Sequence, residues 1–124
     1  MAFKSYRGLR AWQEAMDLVA RIYALTKAFP KDETYGLISQ VGRAAVSVPS
    51  NIAEGHARDS TREFLHHLSI SLGSLAELET QMIAACRLDH MAPEVLHGLL
   101  DATDGVGTMI RGLQKSLKRK VDPP

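Results

Sequence analysis

Cysteine is nearly absent from this chain, since Cys86 is the only one among 124 residues. A lone cysteine cannot close an internal disulfide or supply a thiolate cage for a metal ion, and this favours a reducing compartment. No run of about 18 apolar residues occurs, so we expect no membrane-spanning helix. The first residues also lack the apolar segment of a secretory signal. Together these absences predict a cytoplasmic protein that does not contact a membrane.

Net charge is also small, because 15 Lys and Arg residues face 14 Asp and Glu residues, which leaves a formal charge of +1. Any contact with a nucleic acid must therefore depend on where the cations lie. The contents of 45% hydrophobic and 23% charged residues are typical of a folded protein. The length predicts one domain over residues 1–124, large enough to bury a core without metals or disulfides.

Apolar residues recur at spacings of three and four along four segments, which is the period of an amphipathic α-helix. The predicted helices span about residues 9–29, 34–53, 60–88 and 93–118, and residues 121–124 form a tail that is expected to fray. Pro30 ends the first helix, Ser60 opens the third as an N-cap, and Pro93 fits the first turn of the fourth. Four long helices with short connections predict an all-α fold, an antiparallel up-down-up-down four-helix bundle.

The first two predicted helices carry more apolar or uncharged surface than one bundle needs. A bundle helix needs one apolar stripe about 100° wide, whereas the first helix has two. One stripe contains Leu9, Trp12, Met16, Val19 and Tyr23, and the other contains Ala11, Ala15, Leu18, Ile22, Leu25 and Phe29. In the second helix Arg43 is the only charge. We therefore expect contacts with another subunit, unless the alanines merely widen the second stripe.

Beside Phe29-Pro30, Tyr35-Gly36-Leu37 and Gln40, three longer runs of residues carry a resemblance to a known family. They are Trp12-Gln13-x-x-Met16, Arg43-Ala44-Ala45-Val46-Ser47-Val48-Pro49-Ser50-Asn51-Ile52-Ala53-Glu54-Gly55 and Gly73-Ser74-Leu75-Ala76-Glu77-Leu78-Glu79-Thr80. In combination they resemble the small bacterial four-helix-bundle proteins encoded in intervening sequences of 23S rRNA genes. The accessory proteins of diversity-generating retroelements are relatives of that family. The resemblance extends over nearly the whole chain.

The resemblance implies a bundle that assembles as a ring, typically a homopentamer, with no established biochemical activity. For the retroelement relatives it implies binding of nucleic acid and of a reverse transcriptase. The residues that it marks as a structural motif are Ser47, Pro49, Asn51, Glu54, Gly55, Ser74 and Glu77. One departure is Gly42, which stands where the family often has a second basic residue before Arg43.

Several local expectations follow from the same segments. Pro49 predicts a kink in the second helix, because its ring opposes the carbonyl of Ala45. Gly55 predicts the end of that helix as a C′ residue. Counting along the helices also places the hydroxyl of Tyr35, or the amide of Gln40, within reach of Glu77 or Glu79.

No pattern in the sequence predicts an enzyme or a cofactor. Nucleophile-elbow, P-loop and dinucleotide-binding motifs are missing, and Cys86 falls on the apolar stripe of the third helix, which favours a core position. The pairs Glu63/His66 and Glu94/His97 begin antiparallel helices at opposite ends of the bundle, so they cannot share a metal cluster within one chain. A weaker alternative is a metal or pH-sensing cluster of histidines 56, 66 and 67 with Glu63.

Basic residues concentrate at one end of the predicted bundle, which we call the basic pole. In this topology both termini and the loop between the second and third helices share that end. The predicted nucleic-acid-binding residues are Arg7, Arg58, Arg62, Lys115, Lys118, Arg119 and Lys120 at the basic pole, and Arg43 elsewhere. Cations near the end of the fourth helix also complement its dipole, so phosphate contact and a purely structural role both stay open. Arg43 has no acidic neighbour on its own helix, and it could line a pore, contact another subunit or reach solvent.

The sequence thus predicts a non-enzymatic protein whose basic pole binds RNA or DNA, and the resemblance implies that it forms a ring. The alternative is a structural scaffold that binds a protein partner and no nucleic acid. The expected partners are copies of the same chain, RNA or DNA, or another protein.

Overall fold

The structure is a computed structural model that describes residues 5–121, and it consists of four α-helices joined by short connections. The helices are α1 (Arg10–Thr26), α2 (Ser39–Ala57), α3 (Thr61–Arg87) and α4 (Pro93–Val121). No strand occurs within residues 5–121, and the helices pack as a bundle. The predicted all-α four-helix fold is therefore confirmed. No helix in that range combines the length and apolar character needed to cross a membrane.

Hydrogen bonds between neighbouring helices give their relative direction. The bonded pairs are Ser47–Ser74 and Asn51–His67 between α2 and α3, and Glu79–Thr103 and Ser69–Gln114 between α3 and α4. In each pair of helices one residue number rises while the other falls, so these neighbours are antiparallel. The α2–α3 contact is the most extensive in the bundle, and α1 packs against both α2 and α4. The helices thus close a ring in their chain order.

One apolar stripe of each helix forms the core. Its most deeply buried members are Ala15 and Ile22 of α1, Val48 and Ile52 of α2, Leu68, Leu78 and Met82 of α3, and Leu99 and Ile110 of α4. Burial of aliphatic side chains like these stabilises a fold by about 1.5–3 kcal/mol each before the cost of chain entropy. Among the described residues, the core also contains Ser71 and Thr103, both fully buried.

The second apolar stripe of α1 remains partly in solvent. Leu9, Trp12 and Val19 are half-buried, whereas Met16 is 41% exposed and Tyr23 is 51% exposed. The single chain therefore leaves the expected surplus of apolar surface uncovered.

The helix ends differ from those predicted. The first helix ends at Thr26, because the amides of Ala28 and Phe29 bond to carbonyls three residues back in a tight turn before Pro30. The side chain of Phe29 then enters the core. The fourth helix continues to Val121, the first residue of the predicted frayed tail, and residues 122–124 lie outside the described residues.

Gly55 does not end the second helix, which continues to Ala57. Gly55 is instead buried where α2 approaches α3. A Cβ atom added to Gly55 would lie 2.7 Å from Cβ of His67 and 2.9 Å from Cδ1 of Phe64. This glycine is therefore needed for close packing of the two helices and not for a left-handed cap.

Backbone irregularity occurs before α2 and not at Pro49. The helix continues through Pro49, and the non-helical backbone is at Gly36, with φ −103° and ψ −113°. Gly36 lies in a π-helical turn, Thr34–Ile38, that follows the 3₁₀ turn Lys31–Glu33. A Cβ atom at Gly36 would lie 2.7 Å from Oε1 of Glu33. The non-helical backbone thus occurs at a position for which no kink was predicted, where a glycine allows a carboxylate to approach the backbone.

Glu33 joins the two connections at the end of the bundle opposite the basic pole. Its Oε1 accepts a hydrogen bond from the Leu37 amide at 3.2 Å, and its Oε2 accepts one from Nε2 of His90 at 3.0 Å. The His90 ring packs against Phe29, with 5.7 Å between ring centroids. The hydrogen bond from His90 and then the one from Leu37 hold the pKa of Glu33 below its ordinary value of 4.5.

Substitution of Gly55 by alanine should destabilise the bundle, whereas the same change at Gly105 should stabilise it. Alanine at Gly55 forces apart atoms of His67 and Phe64, which costs about 1–3 kcal/mol as overpacking. A Cβ atom at Gly105 meets no other heavy atom within 4 Å, so improved helix propensity should add about 0.5–1 kcal/mol. Urea denaturation of both variants measures the difference, and equal effects would contradict the close-packing role.

The variant Glu33→Gln should be less stable than wild type near neutral pH. The difference in unfolding free energy should become smaller as the solution is acidified. A carboxylate whose pKa is lower in the folded state stabilises that state above its unfolded pKa, and this contribution disappears as pH falls through the folded pKa. The gap in unfolding free energy between wild type and Glu33→Gln should therefore shrink below pH 4.5. Glu77→Gln, at an exposed position, is the control. A gap that stays constant from neutral to acidic pH would contradict the proposed link.

Candidate nucleic-acid interface

The family-like motif residues form a hydrogen-bonded network between α2 and α3. The hydroxyls of Ser47 and Ser74 lie 2.7 Å apart and share a hydrogen bond. The amide nitrogen of Asn51 donates to the Ser47 carbonyl at 2.9 Å and to its hydroxyl at 3.1 Å. Oδ1 of Asn51 accepts from Nδ1 of His67 at 3.1 Å. These bonds fix the register of the two helices, because each pairs groups that would otherwise be poorly satisfied in a half-buried seam.

A second hydroxyl from α3 reaches the backbone of α2. The fully buried Ser71 donates to the Val48 carbonyl at 2.9 Å. Pro49, the next residue, is also buried. All the hydroxyls of this seam thus bond to each other, to Asn51 or to the backbone, which is a structural arrangement and not that of an activated nucleophile.

The loop between α2 and α3 places Arg58 between two carboxylates. Its guanidinium lies 2.9 Å from Oε2 of Glu54 and 3.7 Å from Oε1 of Glu63. The same Glu54 oxygen lies 3.9 Å from Nε2 of His67, which connects this ion pair to the α2–α3 network. The charge of Arg58, one of the predicted nucleic-acid-binding residues, is therefore balanced locally.

The C-terminal half of α4 carries a row of exposed cations, which we call the α4 cationic stripe. It consists of Arg111, Lys115, Lys118, Arg119 and Lys120. The first three follow one another at spacings of four and three, so they share one face of the helix. Within residues 5–121 none of the five forms an ion pair, and residues 105–121 contain no Asp or Glu. The stripe therefore presents positive charge that the described part of the chain leaves unbalanced.

A shallow cleft of about 470 Å³ lies along the stripe. It is lined by Arg111, Gln114, Lys115, Lys118 and Arg119. The amide of Gln114 also donates to the hydroxyl of Ser69 at 3.3 Å, which holds this part of α4 against α3. The cleft therefore has hydrogen-bond donors on a helix that is anchored to its neighbour, as a phosphate-binding surface requires.

Arg62 and Arg7 are exposed at the same end of the bundle as the stripe. The antiparallel register of α3 and α4 places Arg62, in the first turn of α3, level with the last turn of α4. The guanidinium of Arg7 lies 5.7 Å from the ring centroid of Tyr6, and that ring lies 6.5 Å from the ring of His56 near the end of α2. The structure thus places these arginines near the basic pole.

Arg43 is separated from the other candidates. It is exposed in the first half of α2, about four helical turns before Arg58, or ~22 Å along the axis. Its neighbour Val46 is also exposed, at 40%. Arg43 therefore lies on the exposed side of α2, a helix that is not a direct neighbour of α4 in the bundle.

The hydrogen bond predicted from Tyr35 or Gln40 to one of the two glutamates on α3 does not form among the described residues; one glutamate has a structural contact and the other is exposed. Tyr35 is 95% exposed, and Glu79 accepts a hydrogen bond from Thr103 of α4 at 2.5 Å. Glu77 lies in solvent, because two residues rotate a helix by about 200° and so turn it away from α4. Which of the two carboxylates is hydrogen-bonded thus depends on which one faces α4, and not on its height along the bundle axis.

Cys86 is half-buried and packs against the edge of the core, so it is less enclosed than its stripe predicted. Within residues 5–121 no group of three or more His, Cys, Asp or Glu side chains is arranged to hold a metal ion.

Sequence reasoning did not single out Arg111, Gln114 or Ser69. The spacing of Arg111, Lys115 and Lys118 was the signal that could have identified the first of these.

Comparison with known proteins places this arrangement in context. Among proteins with curated annotation, none matches the chain. A crystal structure of a protein of unknown function from the S23 ribosomal protein family of Bacteroides thetaiotaomicron superposes with a TM-score of 0.78, over 85% of this chain and 95% of that chain. The two sequences are 19% identical, so this similarity shows the shared fold alone.

The family comparison covers most of the sequence, including the α2–α3 network and the first residue of the α4 cationic stripe. The profile of the 23S rRNA-intervening sequence proteins matches residues 7–112, and the chain therefore belongs to the 23S rRNA-intervening sequence protein family.

Proposed function

We propose that this protein is a non-enzymatic nucleic-acid-binding protein that contacts phosphates through the α4 cationic stripe. The observation that carries the proposal is the contrast between Arg58, which two carboxylates balance, and the five cations of the stripe, which have no ionic partner within residues 5–121. Unbalanced cations release condensed counterions from a nucleic acid when they meet its phosphates, and this release drives binding.

The length of the stripe favours phosphate contact over a purely structural role. Cations that complement the dipole of a helix are effective only in its last turn. Lys118, Arg119 and Lys120 satisfy that requirement, but Arg111 lies almost three turns before Val121. Interaction with the dipole therefore does not account for the first part of the stripe.

Self-association would bring several such stripes together, and we propose that the outer face of α1 and α2 mediates it. A cleft of about 330 Å³ lies between these helices. It is lined by Tyr6, Trp12, Met16, Val19, Val46, Pro49, Ser50 and Ala53. Partly exposed apolar side chains gain about 25 cal/mol per Å² when another subunit covers them. A ring, with five copies as the resemblance implies, would place this face against a different face of the next subunit.

The same apolar cleft supports a second candidate, a scaffold that binds another protein and no nucleic acid. Salt separates the two functions. Binding through phosphates weakens steeply as salt rises, whereas burial of apolar surface does not.

Reversal of two charges in the α4 cationic stripe should weaken nucleic-acid binding strongly. The double variant Lys115→Glu/Lys118→Glu should bind a labelled RNA hairpin or DNA duplex at least ~10-fold more weakly at low salt. The slope of log K against log salt concentration should fall by ~2, since each phosphate contact contributes about 0.9. Fluorescence anisotropy over a salt series measures both quantities.

The matched control is Lys27→Glu/Arg87→Glu, which reverses two exposed cations toward the opposite end of the bundle. This control should leave the affinity within about twofold and the salt slope unchanged. Equal losses in the two double variants would show general attraction to positive charge and contradict a site on α4.

A charge introduced on the outer face of α2 should dissociate the assembly. Val46→Glu should yield a monomer of 13.6 kDa, because an ionised side chain at an apolar interface loses hydration without a partner. Ile70→Glu is the control on α3, where exposure is 38% against 40% at Val46. Sedimentation velocity measures the mass of both. An assembled Val46→Glu variant, or wild-type protein that is already monomeric, would contradict this interface.

A further inference from the structure

An open groove runs between α1 and α4, on a different face from the α1/α2 cleft and from Arg111, Lys115 and Lys118 of the α4 cationic stripe. These two helices pack together less extensively than the other neighbouring pairs of the bundle. Two cavities of about 230 and 300 Å³ lie in the groove, and both are lined by Met109. The shared residue shows that the cavities are adjacent parts of one depression.

The floor of the groove is apolar. Leu18, Ala102 and Val106 line the first cavity beside Met109, and Leu113 lines the second. A floor of this kind gains free energy when apolar side chains displace water from it. A partner must therefore carry an apolar face that is long enough to cover about three turns of α4.

Glycines leave room along the same side of α4. Gly98, Gly105 and Gly112 recur every seven residues, so they lie on one face of the helix. A Cβ atom added to Gly105 or Gly112 would meet no heavy atom within 4 Å. At Gly98 the guanidinium of Arg21 already occupies the space, 3.2 Å from where a Cβ would lie. The open positions allow another helix axis to approach closely.

Two carboxylates border the first cavity. Glu14 and Asp17 lie one turn apart on α1 and line it, and in the described part of the chain neither forms an ion pair. Arg21 lies one turn beyond Asp17 and also lines the cavity, but its guanidinium packs over Gly98. The middle of this rim is therefore negative, and a partner gains most by presenting positive charge there.

We propose that the α1/α4 groove docks an amphipathic helix of a partner protein that carries two basic residues one turn apart, opposite Glu14 and Asp17. The partner helix places small apolar side chains over Gly105 and Met109, in the manner of helix-in-groove recognition. This proposal is independent of nucleic-acid binding, because the groove is lined by none of Arg111, Lys115 and Lys118.

The charge order along the rim disfavours a second copy of the same edge as the occupant. Arg10, Glu14, Asp17 and Arg21 run positive, negative, negative, positive along α1. Antiparallel pairing of two such edges would place Arg10 opposite Arg21 and Glu14 opposite Asp17. Like charges in contact oppose association, so a heterologous basic helix fits better.

A synthetic amphipathic peptide tests the groove directly. The probe is a fluorescein-labelled helical peptide of about 16 residues, with an Ala/Leu face and two lysines spaced by three residues along its border. A control peptide has glutamates in place of the lysines. The lysine peptide should bind the full chain, and the glutamate peptide should bind at least ~10-fold more weakly, as measured by fluorescence anisotropy.

Two substitutions in the protein locate the binding surface. Gly105→Leu fills the groove and should raise the Kd of the lysine peptide at least ~10-fold. Gly73→Leu is the matched control, because Gly73 is also an exposed helical glycine with no heavy atom within 4 Å of an added Cβ, but it lies on α3. The double variant Glu14→Gln/Asp17→Asn should bind the lysine peptide more weakly than wild type does. Its affinity for the glutamate peptide should not decrease. Circular dichroism confirms that each variant remains helical.

Three results would overturn the proposal. The first is no binding of the lysine peptide at concentrations up to about 1 mM. The second is equal binding to Gly105→Leu and Gly73→Leu. The third is a change in sedimentation mass caused by Gly105→Leu and not by Gly73→Leu, which would make the groove an interface between copies of this chain.

Discussion

The close contact between α2 and α3 is the constraint on which the arrangement of the bundle depends. Gly55 lets the helices approach, and hydrogen bonds then form across the seam between Ser47 and Ser74 and between Asn51 and His67. A larger residue at Gly55 would separate the partners of these hydrogen bonds, and each buried group left without one costs about 1–3 kcal/mol. Packing and hydrogen bonding therefore support the same register, which is typical of a sequence that specifies one structure.

That register determines where charge accumulates. The loop after α2 brings Arg58 to Glu54 and Glu63, whereas the cations in the C-terminal half of α4 form no ion pair within the described part of the chain. A protein with a formal charge of only +1 thus has a local excess of positive charge. At the opposite end, Glu33 and His90 instead link the α1–α2 connection to the α3–α4 connection. The two ends of the bundle therefore differ in chemistry.

Periodicity was sufficient to predict the helices and the fold, because apolar spacing reports which face of a helix is buried. Contacts between helices could not be predicted in the same way. Gly55 has the appearance of a helix terminator, and only the position of Phe64 and His67 reveals that it permits close packing. The pairing of Glu79 with Thr103 depends on rotation about α3, which differs between residues two apart. The balance of charge at Arg58 likewise arises from the geometry of its loop.

Lysine acetylation footprinting tests the central claim, that the C-terminal half of α4 is the surface that meets nucleic acid. Each of the five lysines within residues 5–121 is exposed in the free protein, so its modification rate reports what covers it. With a bound RNA or DNA fragment, Lys115, Lys118 and Lys120 should be protected, while Lys27 and Lys31 react as before. Protection of Lys27 and Lys31, or unchanged reactivity of all five lysines in a saturated complex, would contradict the account.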